Sequence, residues 1–223
     1  MDPSSSAILF DIDGTLIDST YHHAVAWQRA FDTLGLPIPL WQIHRTVGMG
    51  GDKLVGQVAG TSVEERQGDD LRKRWRKEYS ELRAEVRPLP GASELICQLA
   101  SQGYHVALAS SGDPEFSREA VDLLDIADHV ELLTTSADVE ASKPEPDLLR
   151  ATLSQLDGVD HAVMVGDTPY DVESARRAGL QCVCLRSGGY GEAELRDAGT
   201  PLVVGSPQDL QDLEWGRYLF PVR

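Results

Sequence analysis

The sequence predicts an α/β protein: a Rossmann-like parallel sheet core, interrupted by a helical insert. Three observations carry this. Short, nearly all-apolar runs recur along the chain, which is how strands buried on both faces of a parallel sheet read. Segments with apolar residues at helical spacing separate those runs, and a βαβα order implies a doubly wound sheet with right-handed crossovers. One gap of about 90 residues between the first two runs lacks strand signal and reads as helical.

In chain order, the first strand is Ala7–Phe10. Within the gap, Tyr21–Leu34 has helical spacing, with Ser19 or Thr20 as N-cap. Leu71, Trp75, Tyr79, Leu82 and Val86 form one apolar stripe and predict a long helix over Glu64–Val86. Pro88-Leu89-Pro90-Gly91 marks the return to the core. The expected division is therefore residues 1–19 and 89–223 for the α/β core and 20–88 for the insert. Beyond it, strands are expected at His105–Ala109, Val130–Thr134, Ala162–Val165, Gln181–Leu185 and Leu202–Val204. Helices are expected at Gly91–Gln102, Pro114–Leu124, Pro146–Leu156 and Asp171–Ala178. The tail Trp215–Arg223 is apolar enough to pack on its own core or on a partner.

Composition narrows the function classes. The 223 residues include 20 Lys+Arg and 36 Asp+Glu, a net charge of −16, and 41% are hydrophobic. That supports a sizeable core and argues against nucleic acid and anionic membranes as partners. Three cysteines make no disulfide framework, and Cys182 and Cys184 read as packed thiols on one strand face. No signal peptide or bilayer-length apolar stretch is expected, so a cytoplasmic location is the default. A monomer and a homodimer are both compatible with the sequence.

Four segments carry chemistry. Asp11-Ile12-Asp13-Gly14-Thr15 puts two carboxylates where a buried strand ends, and ligands of open α/β sheets bind outside such ends. Gly166-Asp167-Thr168-Pro169-Tyr170-Asp171 repeats the pattern. There Asp171 would sit in the first turn of a helix, where a carboxylate also serves the helix terminus. Asp11, Asp13 and Asp167 together would be too anionic to stay ionised unaided, and a hard cation such as Mg²⁺ resolves this. Ser110-Ser111-Gly112 offers a hydroxyl and backbone N–H groups that can hold an anion, although such clusters usually mark a turn. In Ser142-Lys143-Pro144-Glu145-Pro146 the prolines fix the backbone around a lysine that would otherwise be ordinary surface charge.

In this order the four segments resemble the haloacid dehalogenase (HAD) superfamily of phosphohydrolases, over about residues 7 to 205. The chain looks most similar to the branch containing phosphoglycolate phosphatase and β-phosphoglucomutase, with the insert as a C1-type cap. The resemblance implies a HAD fold whose first strand lies between the strands leading to Ser110 and to Asp167. It implies that Asp11 attacks phosphorus and that Asp13 is the general acid and base. It places Mg²⁺ on Asp11, the carbonyl of Asp13, Asp167 and Asp171. It gives phosphoryl binding to Ser110, with Ser111 beside it, and to Lys143. Gly14 and Thr15 would shape the turn that positions Asp13. His23 matches a hinge histidine of the mutase branch, against its plain reading as a packed helix residue. The loop Gly48–Lys53, with Gly50 and Lys53, and the nearby Arg45 are candidates for substrate contacts, against plain surface charge for the cations.

The substrate implied is a small phosphorylated metabolite. A sugar phosphomutase is the alternative, but Arg45–Lys53 lacks the Gly-x-Ser-Arg pattern of that branch. A non-catalytic binding protein would most simply have lost Asp11 or Asp13, and both are present. The charge is unevenly divided: residues 20–88 hold 11 Lys+Arg and 9 Asp+Glu, a net of +2, and the rest hold 9 and 27, a net of −18. The basic cluster Arg72-Lys73-Arg74-Trp75-Arg76-Lys77 reads as a solvated helix face, with i,i+4 pairs Asp69–Lys73, Asp70–Arg74 and Lys77–Glu81.

Overall fold

The computed structural model describes residues 2–222. After β1 (Ser6–Phe10) the chain enters four helices: α1 (Thr20–Thr33), α2 (Leu40–His44), α3 (Gly51–Ala59) and α4 (Thr61–Leu82). It returns through α5 (Ala92–Ser101) to β2 (His105–Ala109), α6 (Pro114–Leu124) and β3 (Leu132–Thr134). Next come α7 (Asp147–Ser154), β4 (His161–Gly166), α8 (Pro169–Ala178) and β5 (Cys182–Leu185). The chain ends with α9 (Glu192–Ala198), β6 (Val203–Val204) and β7 (Phe220–Pro221).

The sheet order is β3-β2-β1-β4-β5-β6, all parallel, with β7 pairing antiparallel to β4. Alternation sorts each strand's residues between two cores. Ile8, Phe10, Val106, Leu108, Val163 and Val165 face one cluster with Leu95 and Ile96 of α5. Ala7, Leu9, Ala107, Ala109, Ala162 and Met164 face another with Leu148 and Leu149 of α7. Helices on both faces explain why the strands read as continuous apolar runs.

The insert has a core of its own, including Trp27, Phe31, Ile43, Leu54, Val55 and Leu71. Two of its helices, α2 and α3, have no counterpart in the sequence reading, because each is too short to show a sustained period. The expected helix over Glu64–Val86 starts earlier, at Thr61, and stops at Leu82. A 3-10 turn, Arg83–Glu85, then leads into extended Val86 and Pro88, where helical backbone is disfavoured. The strand expected from Val130 starts at Leu132. The tail packs on its own core, with Trp215 and Leu219 buried beside α5 residues. Its last residue, Arg223, lies outside the described residues. The thiols of Cys182 and Cys184 are buried and lie 3.8 Å apart, packed as expected.

Candidate active site

Pairing β1 between β2 and β4 brings three strand ends together, so Asp11, Ser110 and Asp167 converge at one edge of the sheet. Asp11 still holds the ladder through its N–H to Val165 O, 2.9 Å. The chain then turns sharply, with Gly14 at φ 78° donating to Ile17 O. A Cβ at Gly14 would collide with Asp167 Oδ2 and Thr20 Oγ1, and one at Gly188 would also strike Asp167 Oδ2. Only glycine lets two loops close on that oxygen. Thr15 Oγ1 donates to the other oxygen, Oδ1, at 2.9 Å.

The Lys143 side chain is 1% exposed, so it is no surface charge. Its Nζ lies 2.5 Å from Asp11 Oδ1 and 2.8 Å from Asp171 Oδ1. Burial works against this ammonium, but the two carboxylates outweigh it and raise its pKa. Asp171 is also the capping-box residue of α8: its Oδ2 accepts from Thr168 N at 3.0 Å and Thr168 Oγ1 at 2.6 Å. The helix-terminus role and the site role thus fall on the same residue.

Three buried carboxylates share one ammonium, and the deficit is visible. Burial pushes Asp11 up to about 7 against the pull of Lys143. Burial, then Asp171 and Asp11, push Asp167 well above the carboxylate range. Asp167 Oδ2 is buried with no hydrogen-bond partner among the described residues. Asp11, Asp167 and Asp171 each offer an oxygen within 4.8 Å of the others. An all-oxygen, over-anionic donor set with an orphaned oxygen fits a hard divalent cation. The Asp13 carboxylate lies outside this group, which leaves only its backbone carbonyl for the expected metal contact.

Asp13 Oδ1 instead accepts from Ser19 Oγ at 2.6 Å and from His23 Nε2 at 2.8 Å. The His23 ring stacks on Tyr79 of α4 at 4.0 Å and 6° and also contacts Trp75 of α4 at 5.6 Å and 25°. Burial opposes ionisation of Asp13, but the His23 charge and the hydrogen bonds from His23 and Ser19 outweigh it and hold its pKa low. The side chain stays about a quarter exposed, open to a cavity. Sequence reasoning named His23 and missed its frame; the Leu71/Trp75/Tyr79 stripe was the available signal.

Ser110 Oγ accepts from Gly112 N at 3.0 Å, and Ser111, a residue of the cavity wall, has its Oγ buried with no partner among the described residues. Ser110 follows β2, the strand beside β1, and Ser111 lines the same cavity as Asp11. The insert's candidates sit differently. Gly50 N donates to Ser142 Oγ at 3.1 Å and Lys53 Nζ to Ser142 O at 2.6 Å, so this loop docks beside Lys143. Lys53 also faces Glu145 at 3.8 Å. Arg45 pairs with Glu194 and lies 4.3 Å over the Tyr190 ring. Neither Arg45 nor Lys53 lines the cavity; each joins the insert to the core.

The cations that do line it are Arg72, Lys73 and Arg76. This corrects the solvated-face reading of their cluster. Arg76 crosses to Asp113 and Glu115 of the core, and Arg72 binds Gly51 O, Glu64 and Asp69. Of the expected i,i+4 pairs, Asp70–Arg74 forms at 2.9 Å, while Asp69 turns to Arg72 instead of Lys73. Arg72 and Arg76 each follow a stripe residue by one position, which puts them at the border of the buried face.

Comparisons with known proteins agree with this geometry. A family model described as haloacid dehalogenase-like hydrolase matches residues 8–185. A phosphoglycolate phosphatase from Neisseria meningitidis is 32% identical, covering 93% of each chain. An N-acetylmuramic acid 6-phosphate phosphatase from Pseudomonas aeruginosa is 30% identical, also covering 93% of each. Among solved structures, a hydrolase from Pseudomonas syringae superposes with a TM-score of 0.83 at 31% identity, covering 92% of this chain and 95% of that one. A β-phosphoglucomutase from Clostridium difficile gives 0.81 at 19% identity, covering 95% of each, which shows the fold alone. With its paired carboxylates at the first strand end, the buried lysine and the third strand-end aspartate, the chain belongs to the haloacid dehalogenase-like hydrolase family and is a hydrolase of its phosphatase type.

Proposed function

We propose that the protein is a Mg²⁺-dependent phosphatase that hydrolyses a small phosphorylated metabolite through an aspartyl-phosphate on Asp11, in the manner of phosphoglycolate phosphatases. The single observation that carries this is the division of labour between two carboxylates two residues apart. Asp11 lies in the over-anionic cluster against Lys143, and Asp13 is turned away from it and held by Ser19 and His23. One is placed to form a bond and the other to move a proton.

Asp11 attacks phosphorus as the bond to the leaving oxygen breaks, and Asp13 gives that oxygen its proton. Asp13 then takes a proton from the water that cleaves the acyl phosphate, returning Asp11. The low proton affinity of Asp13 suits the second half; an incoming phosphate dianion beside it raises that affinity for the first. Ser110, Ser111 and Lys143 meet the transferring oxygens. When bound, Mg²⁺ supplies the positive charge that lets Asp11 and Asp167 stay ionised together and offsets the phosphoryl charge. The helical insert acts as a cap that excludes water.

A panel of phosphate esters, assayed with and without Mg²⁺ beside Asp11→Asn, tests this. Phosphate release that needs Mg²⁺ and vanishes in Asp11→Asn is expected. Full activity in Asp11→Asn, or no release from any ester, overturns it. The His23–Asp13 contact is the observation that favours a mutase. Conversion of β-glucose 1-phosphate to glucose 6-phosphate without free phosphate would establish that reading instead.

A further inference from the structure

The cavity between insert and core has a volume of about 440 Å³, although several cross-cleft contacts already draw the two together. That lies within the ~300–1,000 Å³ of pockets that bury whole metabolites and is far more than a two-carbon ester fills. Part of its wall is aromatic and aliphatic, with Trp27, Val47, Met49, Leu54 and Trp75 of the insert and Val139 of the core, and the rest carries charged side chains such as Arg72, Arg76 and Glu140. The order of contacts matters. Asp13 touches His23, His23 stacks on Trp75, and Trp75 stacks on Trp27 at 5.3 Å. A leaving group whose oxygen meets Asp13 therefore has this apolar wall as a neighbour.

A short acid phosphate needs something else. Its carboxylate, a few ångströms from phosphorus, would have to leave water beside Asp13 and find a free cation. Arg72 is taken by Glu64 and Asp69, and Arg76 by Asp113 and Glu115. Lys73, the remaining wall cation, forms no ion pair among the described residues, but its side chain is exposed, and a pair made in water contributes too little to offset drying a carboxylate beside Asp13.

We infer that the leaving alcohol carries a ring and no charge: the protein prefers phosphomonoesters of neutral cyclic alcohols to short acid phosphates. This rests on the phosphatase reading above and names its substrate class. A ring with an apolar face packs on Trp75 and Met49, whereas a two-carbon acid leaves that part of the wall wet.

The test measures kcat/KM of the Mg²⁺-loaded protein on six-carbon sugar phosphates, an inositol phosphate and phenyl phosphate beside phosphoglycolate and glycerol phosphate. At least one ring ester is expected to exceed both short esters tenfold or more. Sugar or inositol phosphates in the lead identify a polyol ring, and phenyl phosphate identifies an aromatic one. Met49→Trp, which fills the cavity from a loop, is expected to cut that ratio tenfold or more. A short ester hydrolysed as well as every ring ester overturns the inference and leaves the phosphatase reading intact. Equal losses for both classes in Met49→Trp overturn the assignment to this wall. If no ester releases phosphate, the phosphatase reading fails and this inference falls with it.

Discussion

At the carboxyl ends of the sheet, Asp11, Asp167, Asp171 and Lys143 are each 6% exposed or less. Across the cleft, Arg45, Lys53, Arg76 and Arg83 of the insert have side chains 27–41% exposed. The core confines its charge in a dry cluster with more anions than cations. The insert spreads its charge at the rim, and each of those four cations meets a core carboxylate: Glu194, Glu145, Asp113 with Glu115, and Glu119 with Glu115. The difference explains how −16 is compatible with an anionic substrate. The buried excess has the composition of a cation site, and part of the partition between +2 and −18 is complementarity between two bodies. A rim pair contributes ~0–1 kcal/mol, so such contacts can release, while stripping one partner from a buried pair costs ~3–5 kcal/mol.

That contrast can be broken at its strong end first. Asp11→Asn is expected to lower kcat by at least about 10⁴, the scale of losing a nucleophile, with phosphoryl-enzyme trapping as the check. Lys143→Met leaves three buried carboxylates without their ammonium. It is expected to destabilise the metal-free protein by ~3–5 kcal/mol in urea unfolding, with part regained on adding Mg²⁺.

The buried cluster also sets a pH dependence. Asp11 and Asp167 bind protons more tightly folded than unfolded, so the native state carries more protons between the unfolded value of 3.8 and the folded values. Stability of the metal-free protein therefore falls as pH rises from about 4 through about 7, where Asp11 ionises. Mg²⁺ should flatten that slope, and melting curves in EDTA and in Mg²⁺ across this range measure it.

Between the two regions stands the Asp13 clamp, where an insert helix frames a core residue. Tyr79→Leu removes the ring stacked on His23 and is expected to lower kcat about tenfold with little change in KM, a fraction of what general acid–base catalysis supplies. Tyr79→Phe keeps the ring and should restore kcat, a rescue that a hydroxyl role would not show. The smallest effect belongs to the rim. Arg45→Gln should change stability by less than ~1 kcal/mol, and added salt should raise KM in the wild type more than in the variant.

The sequence made some elements plain and hid others for identifiable reasons. Ala7–Phe10 and Ala162–Val165 were legible because burial on both faces leaves an unbroken apolar run. The Leu71/Trp75/Tyr79 stripe showed α4 but not what it faces, since a buried face looks alike against an insert core or an active site. Arg72 and Arg76 were misread because an arginine bordering such a stripe has the same sequence whether water or Asp113 lies opposite. The short α2 and α3 left no period to read.

By itself the sequence determined the alternating sheet, the place where helices interrupt it, and the strand-end aspartates, because strand burial and turn chemistry act among neighbouring residues. Only the tertiary structure decided which charges meet. Lys143 reaches Asp11 across 132 positions, Arg45 reaches Glu194 across 149, and Arg76 reaches Glu115 across 39. Folding sets such distances, and no local pattern encodes a partner that far along the chain. The orphaned Asp167 oxygen arises where the loops carrying Gly14 and Gly188 close on it, the ring stack on His23 where α1 packs on α4, and the cavity where insert and core face each other.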